Sequence, residues 1–261
     1  MARYFLEVAY VGTAFHGSQL QGQLPTVQLA LNNALTTLLR TPTPSFGASR
    51  TDEGVHALCN FYHFDTPLPL HDAFLYKLNA ILPHSLAVKK LYKAGNDEAN
   101  VRFDARSRRY RYRIYARKEP FLYHRAMYYP YPIDIAILHQ TADIIKEYDH
   151  FESFSKRNTQ SRTFICTIKQ SYWQQVGTEL HYVVEANRFL RGMVRGLVGT
   201  QLKLAKAGGD GPAALRQILD ARDCTKADFS VPGYGLYLED ISYPADTYTE
   251  IIDKKTGNYN Q

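Results

Sequence analysis

Ser49-Arg50-Thr51-Asp52-Glu53-Gly54-Val55-His56 lies between a helical pattern and a strand pattern. Upstream, Thr26 to Arg40 carries Val27, Leu31, Leu35, Leu38 and Leu39 at helical spacing, with Thr26 placed to cap the first turn. Pro42 and Pro44 end that pattern. Downstream, His56 to Phe64 reads as a strand. The octapeptide is then a turn between two rigid elements, where reactive side chains are commonly presented. Arg50 stands just before Asp52, where it would hold the carboxylate ionised or anchor a phosphate. An Asp in a turn also commonly serves its own backbone, so the stretch alone leaves both roles open.

The chain on either side reads as alternating strands and helices. Arg3 to Val11 is a strand, and Gly12 to Gln23 is a polar, glycine- and glutamine-rich loop. After the octapeptide come a helix from Asp72 to Leu82, stopped by Pro83, and a strand from Leu86 to Tyr92. This order suits an α/β layer with helices on one sheet face. Ile133 to Tyr148 is a third helix with Asp134 at its start. Phe164–Gln174 and Glu179–Ala186 are strands of a hairpin turning at Gly177. Asn187–Ala207 is a fourth helix, Gly211-Pro212 opens a fifth, Gly235–Tyr243 is a final strand, and the polar tail beyond Pro244 is expected to be loosely held.

Two elements concentrate positive charge. Arg109-Tyr110-Arg111-Tyr112-Arg113-Ile114 alternates with period two, which puts Tyr110, Tyr112 and Ile114 on one face and Arg109, Arg111 and Arg113 on the other. A solvated arginine face over an aromatic core explains the alternation. It leaves like charges along one strand face, for which a phosphate backbone is a natural partner. In the fourth helix Arg188, Arg191 and Arg195 would share a face, while Gly192, Gly196 and Gly199 would admit a neighbouring backbone.

The 261 residues form one large domain or two modest ones. Lys and Arg number 31 against 25 Asp and Glu, a net charge of +6 that favours a polyanionic partner. Twenty tyrosines suit base stacking and equally suit a tyrosine-rich core. Cys59, Cys166 and Cys224 are too far apart to suggest a disulfide framework or a zinc knuckle. The His residues form no metal-binding motif, and phosphate-loop, dinucleotide and serine-hydrolase motifs are missing. With no signal-like apolar start and no apolar run of membrane length, the chain is expected to be cytoplasmic, without a membrane association. One carboxylate among arginines and tyrosines fits a reaction on an RNA base that needs neither cofactor nor metal.

Arg50-Thr51-Asp52-x-Gly54-Val55-His56 resembles the G-R-T-D-A-G-V-H-A signature of the tRNA pseudouridine synthase A family. Other motifs follow in the family's order: Phe15-His16-Gly17-x-Gln19 with Val27-Gln28, Phe103-Asp104-Ala105-Arg106, Arg109-Tyr110-Arg111-Tyr112, Asn187-x-Phe189-Leu190-x-x-Met193-Val194-Arg195-x-x-Val198-Gly199, and Gly235-Leu236-Tyr237-Leu238. The resemblance implies an α+β fold of two similar α/β halves, with a mixed, mainly antiparallel sheet, helices on one face and a central cleft. Residues 1–104 would carry the Asp loop, 105–243 the basic strand and helix, and 244–261 a polar tail. It implies isomerisation of uridine to pseudouridine in the anticodon stem-loop of tRNA, at positions 38, 39 and 40, by a homodimer without cofactor. Asp52 carries over as nucleophile, Tyr110 as the tyrosine on the target base, and Arg50 and Arg195 as nearby cations. Arg109, Arg111, Arg113, Arg188 and Arg191 would bind RNA. Arg50 would also fill the gap that the extruded base leaves. Ser49 replaces the usual Gly, Glu53 the usual Ala and Ser18 a frequent Trp. Ser49 fits unless its position needs a positive φ. Glu53 would raise the pKa of Asp52 if it faced the cleft. The rival reading is a non-catalytic protein that binds or chaperones structured RNA.

Overall fold

Residues Arg3 to Val11 alternate, and a strand forms there: in the computed structural model, which describes residues 1–71, 73–157 and 162–251, β1 runs Ala2–Tyr10. It is followed by α1 (Val27–Leu39), β2 (Phe46–Gly47), β3 (His56–Thr66), α2 (Ala73–Ile81) and β4 (Leu86–Ala94). Next come β5 (Ser107–Tyr115), β6 (Met127–Tyr128), α3 (Ile135–Ile145), β7 (Ile168–Val176) and β8 (Glu179–Ala186). The chain ends with α4 (Met193–Ala207), α5 (Gly211–Asp220), β9 (Leu236–Ser242) and β10 (Tyr248–Glu250). The fold is α+β with mainly antiparallel pairing; β5 and β6 run parallel. By contacts the chain divides into Met1–Arg106 with Asp240–Gln261, and Ser107–Glu239.

In the first unit β1 pairs antiparallel with β3 on one side and β4 on the other. β2 extends the sheet beyond β3, in register Phe46 with His63, and β10 extends it beyond β4. Tyr4, Phe5, Leu6 and Val8 are all buried, so β1 is covered on both faces. A ring cluster forms one cover: Tyr92 lies 4.4 Å from Tyr248, and Phe61 meets Tyr243 edge-on at 5.0 Å. The segment beyond Pro244, expected to be loose, therefore supplies a strand and a core ring; residues 252–261 lie outside the described residues. The Thr26 hydroxyl accepts from Leu29 N at 3.2 Å and caps α1 as expected, a bond that stabilises a helix by about 1 kcal/mol. The helix expected from Asp72 is observed from Ala73; Asp72 lies outside the described residues.

In the second unit β5, β8 and β7 form an antiparallel sheet, and β7 and β8 turn at Gly177, whose φ is +57°. α3, α4 and α5 pack on one another, and α3 lies against β7. Asp134 caps α3 by accepting from Ala136 N and Ile137 N. The single tryptophan ties this core together: Trp173 Nε1 donates to Gln201 Oε1 at 2.9 Å, which also accepts from the Thr141 hydroxyl.

Two sequence expectations change. The strand expected over Phe164–Gln174 lies at Ile168–Val176, because Phe164 joins a short bridge region with Phe151 instead. The helix expected from Asn187 starts at Met193, because Gly192 adopts φ +75° and interrupts helical backbone before it. Arg188 and Arg191 thus precede the helix and share no helical face with Arg195. The glycines of α4 do admit neighbours. A Cβ on Gly196 would lie 2.7 Å from the Phe229 ring, and one on Gly199 would lie 2.3 Å from the Asp228 carbonyl oxygen.

Gly199→Ala should therefore lower stability by about 1–3 kcal/mol, although alanine favours helix by up to about 1 kcal/mol. Urea unfolding of the two proteins measures it. An unchanged or raised midpoint would show that the contact with Asp228 does not constrain α4.

Candidate active site

The turn Ser49–His56 is held by buried polar groups from β1, from the Gly12–Ser18 segment and from β3. Thr51 N donates to Ser18 Oγ at 2.8 Å, and Ser18 N returns a bond to Thr51 O at 3.0 Å. Thr51 Oγ1 lies 2.9 Å from the Tyr10 hydroxyl, which accepts from Asn60 Nδ2 at 3.2 Å. Asn60 Nδ2 also reaches Ser49 O at 3.1 Å. Tyr62 donates its hydroxyl to Ser18 O, and Gly12 N donates to His56 Nδ1. Burial pushes the Tyr10 phenol up to about 12, against the bonds from Thr51 and Asn60 that lower it, so it stays a neutral hydroxyl. Glycine is required where the segments touch: a Cβ on Gly12 would lie 2.0 Å from Val55 O.

Gly54, at φ +80°, lets the chain reverse, and Val55 N closes the turn on Asp52 O at 3.2 Å. Asp52 is half-buried at this corner, while Arg50 is exposed. The departures from the family signature fit this geometry. Ser49 adopts no positive φ, so its Cβ is tolerated. Glu53 is 72% exposed and sits 3.5 Å from His16. Ser18 is 2% exposed, and its hydroxyl is the atom that fixes Thr51. The sequence marked Ser18 only as a departure from the family pattern, and it did not mark Tyr10 or Asn60. Asn60, inside an otherwise apolar strand run, was the available signal.

In the second unit β5 shows the expected alternation, with Tyr110, Tyr112 and Ile114 buried. Tyr110 is 8% exposed and meets the Phe189 ring edge-on at 5.1 Å. Arg195 donates through Nε to Val231 O at 2.8 Å and through Nη2 to Phe229 O at 3.4 Å, which orients its guanidinium. Arg191 is exposed and Arg188 half-buried.

The arginine face of β5 meets carboxylates, a pairing the sequence reading did not include. Arg109 lies 3.3 Å from Glu185, Arg111 pairs with Glu239, and Arg113 grips Glu179 through two bonds of 2.8 and 2.7 Å. Arg109 also bonds Gln170, and Arg113 lies over the Tyr237 ring. The repulsion that seemed to require a phosphate is relieved by carboxylates contributed from other strands. These arginines are held at the sheet surface, with side chains 25–34% exposed.

A cavity of about 340 Å3 opens beside Arg50, bordered also by Arg3, Phe46, His63, Arg102 and Phe103. Among the described residues no group of His, Cys, Asp and Glu is arranged to hold a metal, and no helix is long and apolar enough to cross a membrane.

Residues 147–244 match the family model described as tRNA pseudouridine synthase. The chain is 40% identical over 250 residues to tRNA pseudouridine synthase A of Parabacteroides distasonis, covering 95% of this chain and 98% of that protein. It is 35% identical to the Porphyromonas gingivalis protein of that name over 256 residues, 95% of this chain and 100% of the relative. With the Bacillus subtilis protein of that name identity is 34% over 241 residues, 90% and 97% of the two chains. A pseudouridine synthase is an isomerase, and the fold and these likenesses put the chain in that class of enzyme. The chain belongs to the tRNA pseudouridine synthase A family.

His63 is 4% exposed, and burial, with Arg3 nearby, pushes its imidazole down to about 4 from 6.5. The unfolded chain binds this proton below pH 6.5 while the folded chain resists it, so the contribution is fully present above pH 6.5 and is lost towards pH 4. The loss amounts to up to about 3 kcal/mol. In His63→Phe the fall in stability between pH 6.5 and 5 should be shallower than in wild type, as read by denaturant titration at each pH. Parallel pH profiles would contradict it.

Proposed function

We propose that this chain isomerises uridine to pseudouridine in the anticodon stem-loop of tRNA, at positions 38, 39 and 40, with Asp52 as nucleophile and without cofactor or metal. The observation that carries this reading is the clamped turn that presents a half-buried Asp52 beside an exposed Arg50. A fixed carboxylate suits nucleophilic catalysis because its positional entropy is lost on folding, before substrate binds.

The reaction breaks the N1–C1′ bond of the uridine, turns the uracil, and joins C5 to C1′. The proton leaves C5 and N1 gains one, so no redox partner is needed. Asp52 takes part by adding to the sugar or to the base. Tyr110 contacts the target base and keeps the detached uracil from leaving. Its contact with Phe189 supports this role by fixing the ring. Arg195, oriented by the Phe229 and Val231 carbonyls, supplies an active-site cation. Extruding a base from a stem costs a few kcal/mol, which phosphate contacts offset. We assign those contacts to Arg188 and Arg191, and insertion into the vacated stack to Arg50. We assign backbone contacts also to Arg109, Arg111 and Arg113, whose side chains stay 25–34% exposed although each meets a carboxylate. We place the enzyme in the cytoplasm, acting as a homodimer on tRNA.

The test uses a transcript labelled with tritium at uridine C5, from which isomerisation releases the label. Wild type should release it, and Asp52→Asn should be slower by roughly a thousandfold or more while still binding tRNA. Full activity in Asp52→Asn would remove the assigned nucleophile. A folded wild type that binds tRNA without releasing label would favour the RNA-binding alternative.

A further inference from the structure

We propose that the cavity beside Arg50 receives a second, unpaired nucleotide of the RNA, distinct from the uridine that reacts. The inference rests on the reading of the chain as a tRNA-modifying enzyme and adds a contact to it. At about 340 Å3 the cavity is at the small end of ligand sites, which run roughly 300–1,000 Å3. Ser49 and Arg50 of the turn border it, and Asp52 does not.

Three features match a nucleotide. The first is a pair of unburied rings at the rim. Phe103 is 77% exposed and Phe46 54% exposed. Phe103 is not loosely presented: Asn100 Oδ1 accepts from Arg102 N at 2.9 Å, and Asp104 Oδ2 accepts from Asn100 N at 2.7 Å, which fixes the turn that carries it. Holding a phenylalanine ring out in water has no benefit to folding, whereas a base can stack on it. The second is charge. Arg50 and Arg102 border the cavity, the Arg102 guanidinium lies 5.6 Å from the Phe103 ring centre, and no carboxylate is in the lining. Arg3, which also borders the cavity, is held in two bonds to Asp65.

The third is the backing of the rim. His63, which also borders the cavity, stacks on Phe46 with ring centres 5.3 Å apart and holds that ring at the edge. Stacking on two rings and a phosphate near arginine together describe recognition of an unstacked nucleotide.

The test compares wild type, Phe103→Ala and Phe103→Trp, with tRNA carrying 4-thiouridine for photo-crosslinking as a readout independent of turnover. Phe103→Ala should raise KM for tRNA by at least about fivefold with kcat changed by less than about twofold, and Phe103→Trp should restore KM. Crosslinked peptides should include Phe103 or Phe46, and Phe103→Ala should lose that crosslink. An unchanged KM with crosslinks only elsewhere overturns the inference. So does a free nucleoside monophosphate that occupies the cavity, displaced by Phe103→Ala, while KM for tRNA stays the same. A wild type that forms the crosslink but releases no tritium would instead fail the enzymatic reading and leave the nucleotide contact standing.

Discussion

The hydroxyl of Ser18, buried against the backbone of Thr51, is where two distant parts of the chain become one site. Asp52 lies on a turn that would otherwise sample many positions, and as the proposed nucleophile it would lose roughly a hundredfold in rate on a displacement of about 1 Å. The sheet supplies the anchor. β1 sends Tyr10 and β3 sends Asn60 to the same buried point, and both reach the turn through hydroxyl and amide groups rather than through apolar packing. Directional bonds fix a backbone more closely than packing can, at the cost of requiring every buried partner to be satisfied. Glycines at 12 and 54 let the strands of backbone approach and reverse around that point.

The same logic recurs on the sheet of the second unit. Three arginines along one strand face would repel, yet each meets a glutamate. Partly exposed pairs of this kind contribute little stability individually, about 0–1 kcal/mol. Their effect is to keep cationic side chains extended along the sheet and to limit the local excess of charge. A net charge of +6 is therefore less concentrated on β5 than its sequence suggests, and more of it is left to Arg50, Arg188, Arg191 and the lysines.

Much of this was legible in the sequence because it depends on local pattern. Period two placed Tyr110, Tyr112 and Ile114 in the core, and the Thr26 and Asp134 caps announced their helices. The turn at Gly54 followed from residues within one octapeptide. What could not be read were partnerships across long separations. Glu179, Glu185 and Glu239 are far in sequence from the arginines they neutralise, and nothing local marks Ser18 as the partner of Thr51. The start of α4 failed for a different reason. Arg188, Arg191 and Arg195 have helical spacing, but the left-handed Gly192 overrides it, a backbone choice that side-chain periodicity does not report. The tyrosines also divided: Tyr4, Tyr10, Tyr62, Tyr112 and Tyr182 are buried in the core, which leaves fewer of the twenty for RNA than composition implied.

The fold, the clamped turn and family membership support one account, in which a rigid carboxylate acts on uridines of the anticodon arm while cations and rings elsewhere hold the RNA. Nucleotide-resolution mapping of pseudouridine in unmodified tRNA transcripts, after incubation with the wild-type protein, tests it most directly. The account predicts new pseudouridine at positions 38, 39 or 40 wherever the transcript has uridine there, and none in the other arms. Pseudouridine confined to another arm, or none from a folded protein that binds the same transcripts, would contradict it.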